Sequence, residues 1–396
     1  MLTLALAGCG GVGSGSLSTI GSQLTVYSSL PLQGSSAAIS QQIVDGEKLA
    51  LARSKGRIGP FKISYVSLDD AEPANGQQSP GKAETNARIA AQDASTIAYL
   101  GDYDSDDTAV SLPLINAAGI LQVSPGSPYI GLTSSLDAGQ DEPERFYPSA
   151  KRTFGSLIPG DSIQARAQVQ MMRARGVHRL YVLSDENPFH VPLAEILAAD
   201  ARAAGIEVLA SDTVNIKNGT NFASVAQRIT EAQAQAVFFS GSPTTGTVEL
   251  WRALYEADKG LRLYGSSALV NSSFTSQIGP AAQNTLLGTP VLPAAQYPPA
   301  AQRLLRAFRL QFGYQPQAYA LYGYEAMSVV LWAIRAAGTN GNSRAAVISK
   351  FFSIRGRESV LGRYSVAASG QISLTRYGFD RVLGGQPVFY RALEVS

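Results

Sequence analysis

The chain of 396 residues is poor in the side chains on which most catalytic and metal sites depend. It has one cysteine, Cys9, which excludes an intrachain disulfide and a structural zinc site built on cysteines. Its two histidines, His178 and His190, have no nucleophile motif beside them, which argues against a Ser-His-Asp or Cys-His enzyme. We therefore predict no enzymatic activity, no metal and no cofactor.

Charge and hydropathy argue against two further classes of protein. Lys and Arg number 32 against 30 Asp and Glu, so no basic surface is predicted and nucleic acid is not expected as a partner. The sequence also lacks a run of about 18 apolar residues that would span a bilayer. With 45% apolar and 16% charged residues, the composition is that of a globular protein. At roughly 150 residues per domain, the length predicts two or three domains.

The first residues resemble a lipoprotein signal. The motif Leu6-Ala7-Gly8-Cys9 follows a short apolar stretch and is similar to a bacterial lipobox, whose cysteine is acylated. Residues 10–22 form a tether rich in glycine and serine, which favours this interpretation over a buried cysteine in a first strand. No Lys or Arg precedes the apolar stretch, and a start codon placed too late would explain that. We expect lipidation at Cys9 and anchoring to the outer face of the bacterial cell membrane.

Short apolar runs alternate with segments of helical periodicity along the chain. This alternation predicts an α/β protein with parallel sheets covered on both faces, in two similar halves. Predicted strands cover residues 24–30, 61–70, 96–102, 120–126, 179–185, 206–214, 236–241 and 262–269. Predicted helices cover residues 39–53, 80–94, 109–118, 162–175, 191–204, 222–234, 246–257 and 318–337. Residues 362–393 are predicted to form short strands with glycine turns.

The loops that follow the predicted strands are the candidate binding site. Ligands of open parallel sheets bind beyond the carboxyl ends of the strands. These loops are rich in Ser, Thr, Gly, Asp and Pro, and hydroxyls and backbone amides bind small polar groups without supplying a general base. The loops cover residues 30–39, 69–80, 101–108, 124–133, 185–192, 241–246 and 265–275.

Ordered blocks of the sequence resemble the branched-chain amino-acid-binding proteins of ABC importers. They include VYSSLPLQG (26–34), YLGDYDSDDT (99–108), KRTFGSLIPGDSIQA (151–165) and LGRYSVAASGQISLTRYGFDRV (361–382). The resemblance covers about the whole chain after the tether. It implies a type I periplasmic-binding-protein fold: two Rossmann-like lobes with parallel sheets, joined by a three-segment hinge. The expected division is a lipobox and tether of 1–22, a lobe 1 of 23–150 plus 293–345, and a lobe 2 of 151–292 plus 346–396.

The resemblance also implies a function. It is that of an extracytoplasmic protein that captures a small polar ligand between its lobes and delivers it to the permease subunits of an ABC importer. The ligand expected is an amino acid, an amide or a small carboxylate. A ligand-sensing receptor subunit without transport is the alternative, because the fold serves both. In either case we expect a monomer held at the membrane by its lipid anchor.

Residue by residue, the resemblance places the ligand on seven positions of the predicted loops. Ser105 matches the family hydroxyl that takes the ligand carboxylate, and Ser127 stands where the family has a threonine. Phe189 stands where many relatives have a tyrosine that covers the ligand. The seven positions are Tyr103, Ser105, Gly126, Ser127, Phe189, Ser242 and Ser267.

Position 267 departs from the family pattern. Relatives commonly carry an acid there that pairs with the ligand ammonium, whereas Ser267 supplies no charge. A buried ammonium without a partner costs several kcal/mol, so either the ligand lacks a free α-amino group or another acid serves. Asp102 or Asp104 is a candidate, although acids at a helix N-terminus are the favoured interpretation of that loop.

Two further features of the loops leave alternatives open. His190 lies in a predicted cleft loop, where a solvated histidine is favoured over a contact with a ligand carboxylate. Three tyrosines near the start of the predicted helix 318–337 either line the cleft or pack against the sheet. They are Tyr319, Tyr322 and Tyr324.

Overall fold

The computed structural model describes residues 21–72, 79–135, 138–216 and 220–395. They form two α/β units, each built on one sheet. The predicted lipidation site, Cys9, lies outside the described residues. Across the described ranges, no helix combines the length and the apolar character that crossing a membrane requires.

The first unit is built on a six-stranded sheet. Its strands are β1 (Gln23–Leu30), β2 (Arg57–Ile58), β3 (Phe61–Asp69), β4 (Thr96–Leu100), β5 (Leu121–Ser124) and β6 (Phe154–Ser156). The order is β2-β3-β1-β4-β5-β6, and every pair is parallel except β2 with β3. The helices of this unit are α1 (Ala37–Arg53), α2 (Pro80–Gln92) and α3 (Ser105–Ala117), joined by three helices from later in the chain.

The second unit is built on a seven-stranded sheet. Its strands are β7 (Arg179–Ser184), β8 (Glu207–Thr213), β9 (Ala236–Ser240), β10 (Arg262–Gly265), β11 (Thr285–Thr289), β14 (Arg376–Leu383) and β15 (Gln386–Glu394). Two short strands that precede β14, β12 (Arg357–Glu358) and β13 (Arg363–Tyr364), pair only with each other. The order is β15-β14-β11-β10-β9-β7-β8, with β14 and β15 antiparallel at one edge. Its helices are α4 (Asp161–Ala174), α5 (Val191–Ala203), α6 (Phe222–Glu231), α7 (Thr245–Ala257) and α8 (Ser272–Thr275).

Central strands of both sheets are buried along their whole length. All five residues of β4 (TIAYL) and of β9 (AVFFS) are buried. Strands of a parallel sheet read as continuous apolar runs because helices cover both faces. This architecture confirms the predicted fold class of two α/β lobes.

Three helices from the last third of the chain pack on the first unit: α9 (Pro299–Phe312), α10 (Tyr319–Ala336) and α11 (Arg344–Phe352). Helix α10 lies directly against α1 through Gly46 and Gly323. A Cβ atom on Gly46 would collide with the carbonyl oxygen of Ala320, and one on Gly323 with that of Ile43. Glycine is therefore required on both helices for this close approach.

The division between the units differs from the predicted one at two places. Strand β6 pairs with β5 in the first sheet, although the predicted lobe 1 stops at residue 150. Helix α11 belongs to the first unit as well, because Phe351 lies in its core and against Gly155. Within the described residues, the chain therefore crosses between the units three times, at residues 157–160, 290–298 and 373–375. The last crossing comes just before β14, because residues 354–372 still pack in the first core. The three residues of β6 were too few to signal a strand in the sequence.

Candidate functional site

A cavity of about 330 Å³ lies between the two units, at the carboxyl ends of the strands. Loops after β1, β4 and β5 line it from the first unit, and loops after β7, β9 and β10 line it from the second. Six of the seven predicted site residues are in its wall. They are Tyr103, Ser105, Gly126, Phe189, Ser242 and Ser267.

The first unit contributes the N-terminus of α3. Ser105 is the first residue of this helix, and its Oγ accepts a hydrogen bond from the backbone N–H of Tyr129 at 3.3 Å. The Ser105 hydroxyl hydrogen therefore remains to be donated. The N-cap side chain of Asp104 makes no capping hydrogen bond, which leaves the first-turn amides of α3 without a side-chain partner. A helix N-terminus in this state favours an acceptor or anionic group.

Tyr103 and Gly126 form an adjoining part of the same wall. A Cβ atom at position 126 would lie 2.5 Å from the carbonyl oxygen of Tyr103 and 2.8 Å from its ring, so only glycine fits this approach. The Tyr103 hydroxyl donates to the hydroxyl of Tyr319 at 3.1 Å, and the two ring centroids are 5.8 Å apart. Tyr319 thus lines the cavity, which decides one of the alternatives left open by the sequence.

The other two tyrosines of α10 pack instead of lining the cavity. Tyr322 is buried, and its hydroxyl donates to the carbonyl oxygen of Pro290 at 3.2 Å. Tyr324 lies under the guanidinium of Arg53, 5.8 Å from the ring centroid.

Ser127 is placed differently from its prediction. It is 0% exposed and is not in the cavity wall. Its Oγ lies 2.6 Å from Thr108 Oγ1. It is also within donating distance of two backbone carbonyl oxygens, those of Asp102 at 3.2 Å and Asp104 at 3.1 Å. Because these partners occupy the hydroxyl, Ser127 ties two loops of the first unit together and does not face the cavity.

The second unit contributes one face of α4. Asp161 and Gln164, one turn apart, line the cavity, and the Gln164 Nε2 donates to Asp161 Oδ1 at 3.2 Å. The Gln164 Oε1 accepts from the backbone N–H of Ser267 at 2.7 Å. One turn further on, Gln168 donates to the carbonyl oxygen of Gly265 at 2.9 Å. This face of α4 therefore holds the loop after β10 in place.

The loop after β7 is organised around Asp185. Its carboxylate accepts from the backbone N–H of Asn187 at 3.1 Å, from that of Ser242 at 2.9 Å, and contacts His190 Nδ1 at 2.8 Å. Burial opposes ionisation of Asp185, but these hydrogen bonds outweigh it and lower its pKa. His190 lines the cavity and is paired, so the expectation of a solvated loop histidine is wrong. Phe189 packs edge-on against Tyr129, with centroids 5.0 Å apart.

The cavity wall is acidic. Three carboxyl groups line it, those of Asp104, Asp106 and Asp161, whereas no Lys or Arg does so among the described residues. Asp104 Oδ2 is buried without a hydrogen-bond partner, and burial together with neighbouring negative charges raises the pKa of this carboxyl well above its usual range. Burial also raises the pKa of Asp161 to about 7.

Sequence reasoning did not find Asp161 or Gln164. Both lie in the block GDSIQA, where the predicted helix 162–175 included Gln164 and began one residue after Asp161. Their spacing of three residues at a helix start was the available signal, because it places both side chains on one face. Within the described residues, no group of three or more His, Cys, Asp and Glu side chains is placed to hold a metal ion.

Comparison with known proteins identifies the family. Residues 28–377 match the family model for periplasmic binding proteins. The chain belongs to the periplasmic binding protein family. It is 24% identical over 354 residues to a Leu/Ile/Val-binding protein homolog 2 of Brucella abortus, covering 88% of this chain and 87% of that protein.

Solved structures of other binding proteins share the fold. The leucine binding protein LivK of Thermotoga maritima superimposes with a TM-score of 0.74 at 18% identity, over 94% of this chain and 99% of the other. A solute binding protein of R. palustris, solved with benzoate, has a TM-score of 0.70 at 17% identity, over 93% and 96%. The family consists of solute-binding proteins, which confirms the predicted resemblance and the prediction that the chain is no enzyme. Membership implies an extracytoplasmic location.

Proposed function

We propose that this periplasmic binding protein captures an amino acid or a related small polar ligand in the cavity between its units and delivers it to an ABC importer. The observation that carries the proposal is the cavity itself, where hydroxyls and an uncapped helix N-terminus converge from loops of both units. In this proposal the chain acts as a monomer and is anchored through a lipid at Cys9.

The first unit supplies the position for a ligand carboxylate. Ser105 has a hydroxyl hydrogen to donate, and the first-turn amides of α3 point the positive end of the helix dipole toward the same place. Asp104 beside it would repel an anion if ionised. Burial and the neighbouring carboxyl groups raise the pKa of Asp104 well above its usual range, which favours its neutral form and lessens that repulsion.

Ligand capture involves a change in the angle between the units. Within the described residues, only three connections join them, at residues 157–160, 290–298 and 373–375. Each unit has its own buried core, so each moves as a nearly rigid body while the connections bend.

A thermal-shift screen of amino acids, amides and small carboxylates tests the binding part of the proposal. A ligand present at 100 times its dissociation constant adds ~2.7 kcal/mol to stability, which raises the melting temperature measurably. The Ser105→Ala variant serves as the control, because it removes one ligand contact and should reduce the shift. Failure of all three compound classes to stabilise the folded protein would contradict the proposed ligand class.

Uptake of the bound compound tests delivery. Deleting the gene from its host should abolish high-affinity uptake of that compound, and the wild-type gene should restore it. Unchanged uptake in the deletion strain, together with proven binding, would contradict delivery to an importer and favour a sensing role.

A further inference from the structure

Asp161 is a carboxyl group of the cavity wall to which the proposed function gives no role. It is 4% exposed, yet it lies in the cavity wall, and Gln164 is the side chain that donates to its Oδ1. The wall around it contains two more carboxyl groups and no Lys or Arg among the described residues. In the described part of the chain, His190 is the one basic side chain of the wall, and its Nδ1 contacts Asp185. A buried carboxylate in such surroundings favours a cationic group on the ligand, because burial of an unpaired charge is costly.

Gln164 connects Asp161 to position 267. Its Nε2 donates to Asp161 Oδ1 at 3.2 Å, and its Oε1 accepts from the N–H of Ser267 at 2.7 Å. A single side-chain amide thus separates the Asp161 carboxyl from the backbone of Ser267. An acid at either position would therefore act on the same part of the cavity.

The Asp161 end of the cavity is also close to the Ser105 end. The backbone N–H of Asp161 donates to the carbonyl oxygen of Pro128 at 3.0 Å, and the N–H of Tyr129 donates to Ser105 Oγ at 3.3 Å. That carbonyl and that N–H belong to the same peptide group. The start of α4 and the Ser105 hydroxyl therefore lie on two sides of one peptide unit, in the wall of the same cavity.

We propose that Asp161 binds the ammonium group of the ligand, in place of an acid at position 267, and that Gln164 positions it. The inference rests on the proposed function and narrows its ligand class to amino acids with a free amino group next to the carboxylate. Asp104 is less suited to this role because its Oδ2 is enclosed and has no hydrogen-bond donor, whereas Asp161 has Gln164 and the N-terminus of the 14-residue helix α4.

Matched pairs of ligands test the inference without a mutation. We would titrate the wild-type protein by calorimetry with L-leucine and 4-methylpentanoate, and with L-phenylalanine and 3-phenylpropanoate. The members of each pair differ only in the amino group. Since a hydrogen bond to a charged group contributes ~1.5–3 kcal/mol, at least one amino acid should bind roughly ten- to a hundredfold more tightly than its partner. Equal or tighter binding of the carboxylate would overturn the inference.

Variants then locate the preference on the carboxyl group. Asp161→Asn should remove most of the preference for the amino acid over its des-amino partner. The variant should bind the amino acid more weakly and the des-amino carboxylate with nearly unchanged affinity. Adding Ser267→Asp to that variant should restore part of the preference, since the new carboxylate reaches the same part of the cavity. Asp212→Asn makes the same chemical change on β8, where Asp212 bonds Tyr181 outside the cavity wall, and should alter neither ligand.

The outcomes separate the inference from the function on which it rests. An equal loss of both members of a pair in Asp161→Asn would mean that Asp161 supports the fold, and would overturn the inference alone. Binding of neither member of any pair, by the folded wild-type protein, would overturn the proposed ligand class and the inference with it. Loss of both ligands in Ser105→Ala, with the preference in Asp161→Asn abolished, would support both.

Discussion

Ser105 and Ser127 carry the same side chain and are both predicted to bind the ligand, but they lie in different surroundings. Ser105 lines the cavity, whereas Ser127 is 0% exposed and bonded to the interior. Replacing each by alanine should therefore separate binding from stability. Ser127→Ala should destabilise the fold, and Ser105→Ala should weaken ligand binding.

The magnitude for Ser127→Ala follows from its hydrogen bonds. The Oγ contacts Thr108 Oγ1 at 2.6 Å and the carbonyl oxygens of Asp102 and Asp104 at 3.2 and 3.1 Å. A hydroxyl has one hydrogen, so Ser127 donates one bond. It accepts a second one only when the Thr108 hydroxyl turns to it and away from Asp104 O, 2.9 Å from Thr108 Oγ1, so one or two bonds are lost. At roughly 0.5–1.5 kcal/mol each, the free energy of unfolding should fall by about 0.5–3 kcal/mol.

Ser105→Ala should change the ligand affinity much more than the stability of the empty protein. In the empty protein the change removes one acceptor, at 3.3 Å, from the backbone N–H of Tyr129. Such a long, weak bond contributes little, so the melting temperature should change only slightly. In the complex the lost bond to a carboxylate is worth ~1.5–3 kcal/mol, or roughly a ten- to hundredfold weaker affinity.

Two assays on both variants check these expectations together. One is urea denaturation monitored by circular dichroism, and the other is calorimetric titration with one carboxylate-containing ligand. Weaker binding by Ser127→Ala at unchanged unfolding free energy would mean that its hydroxyl faces the ligand, and would refute the reasoning. So would full ligand affinity in Ser105→Ala.

The remaining predictions concern charge, motion and the anchor. Burial raises the pKa of Glu47 to about 8 and that of Asp161 to about 7, so the folded state binds protons that the unfolded chain has lost. The urea midpoint of the empty protein should therefore fall as pH rises from 5.5 to 8, and a rise would contradict those pKa values. Arg357→Leu should cost about 3–5 kcal/mol in urea unfolding, because Glu325, 1% exposed and 2.6 Å from Arg357 Nε, loses its cation, and adding Glu325→Leu should recover much of the loss. Small-angle scattering should give a smaller radius of gyration with saturating ligand, and no compaction would contradict bending at the three connections. Replacing Cys9 by serine in the precursor should release the protein from the membrane fraction, and unchanged detergent partitioning would refute lipidation.

Much of the architecture was predictable because it depends on local periodicity. The apolar runs that become β1, β4 and β9 are buried on both faces, so they stand out against the helical segments between them. The loop positions followed from the same pattern, since parallel strands bring their carboxyl ends to one edge. That is why six residues, which the family resemblance placed on five of these loops, meet in one cavity.

Elements without a local signal were not predictable. Strand β6 has three residues, one of them glycine, and becomes a strand only because β5 offers it an edge. Helix α11 belongs to the first unit because Phe351 packs against residues some 200 positions earlier, such as Gly155. No periodicity records such a contact.

Within the candidate site, the sequence by itself determined which loops carry hydroxyls, amides and acids, and that no acid stands at position 267. Only the tertiary structure decided which of these groups face the cavity. Ser127 turns inward because Thr108 and two carbonyl oxygens surround it, and Asp161 turns outward because Gln164 holds it beside the loop of Ser267. The direction of a side chain depends on partners distant in sequence, and packing alone brings those partners together.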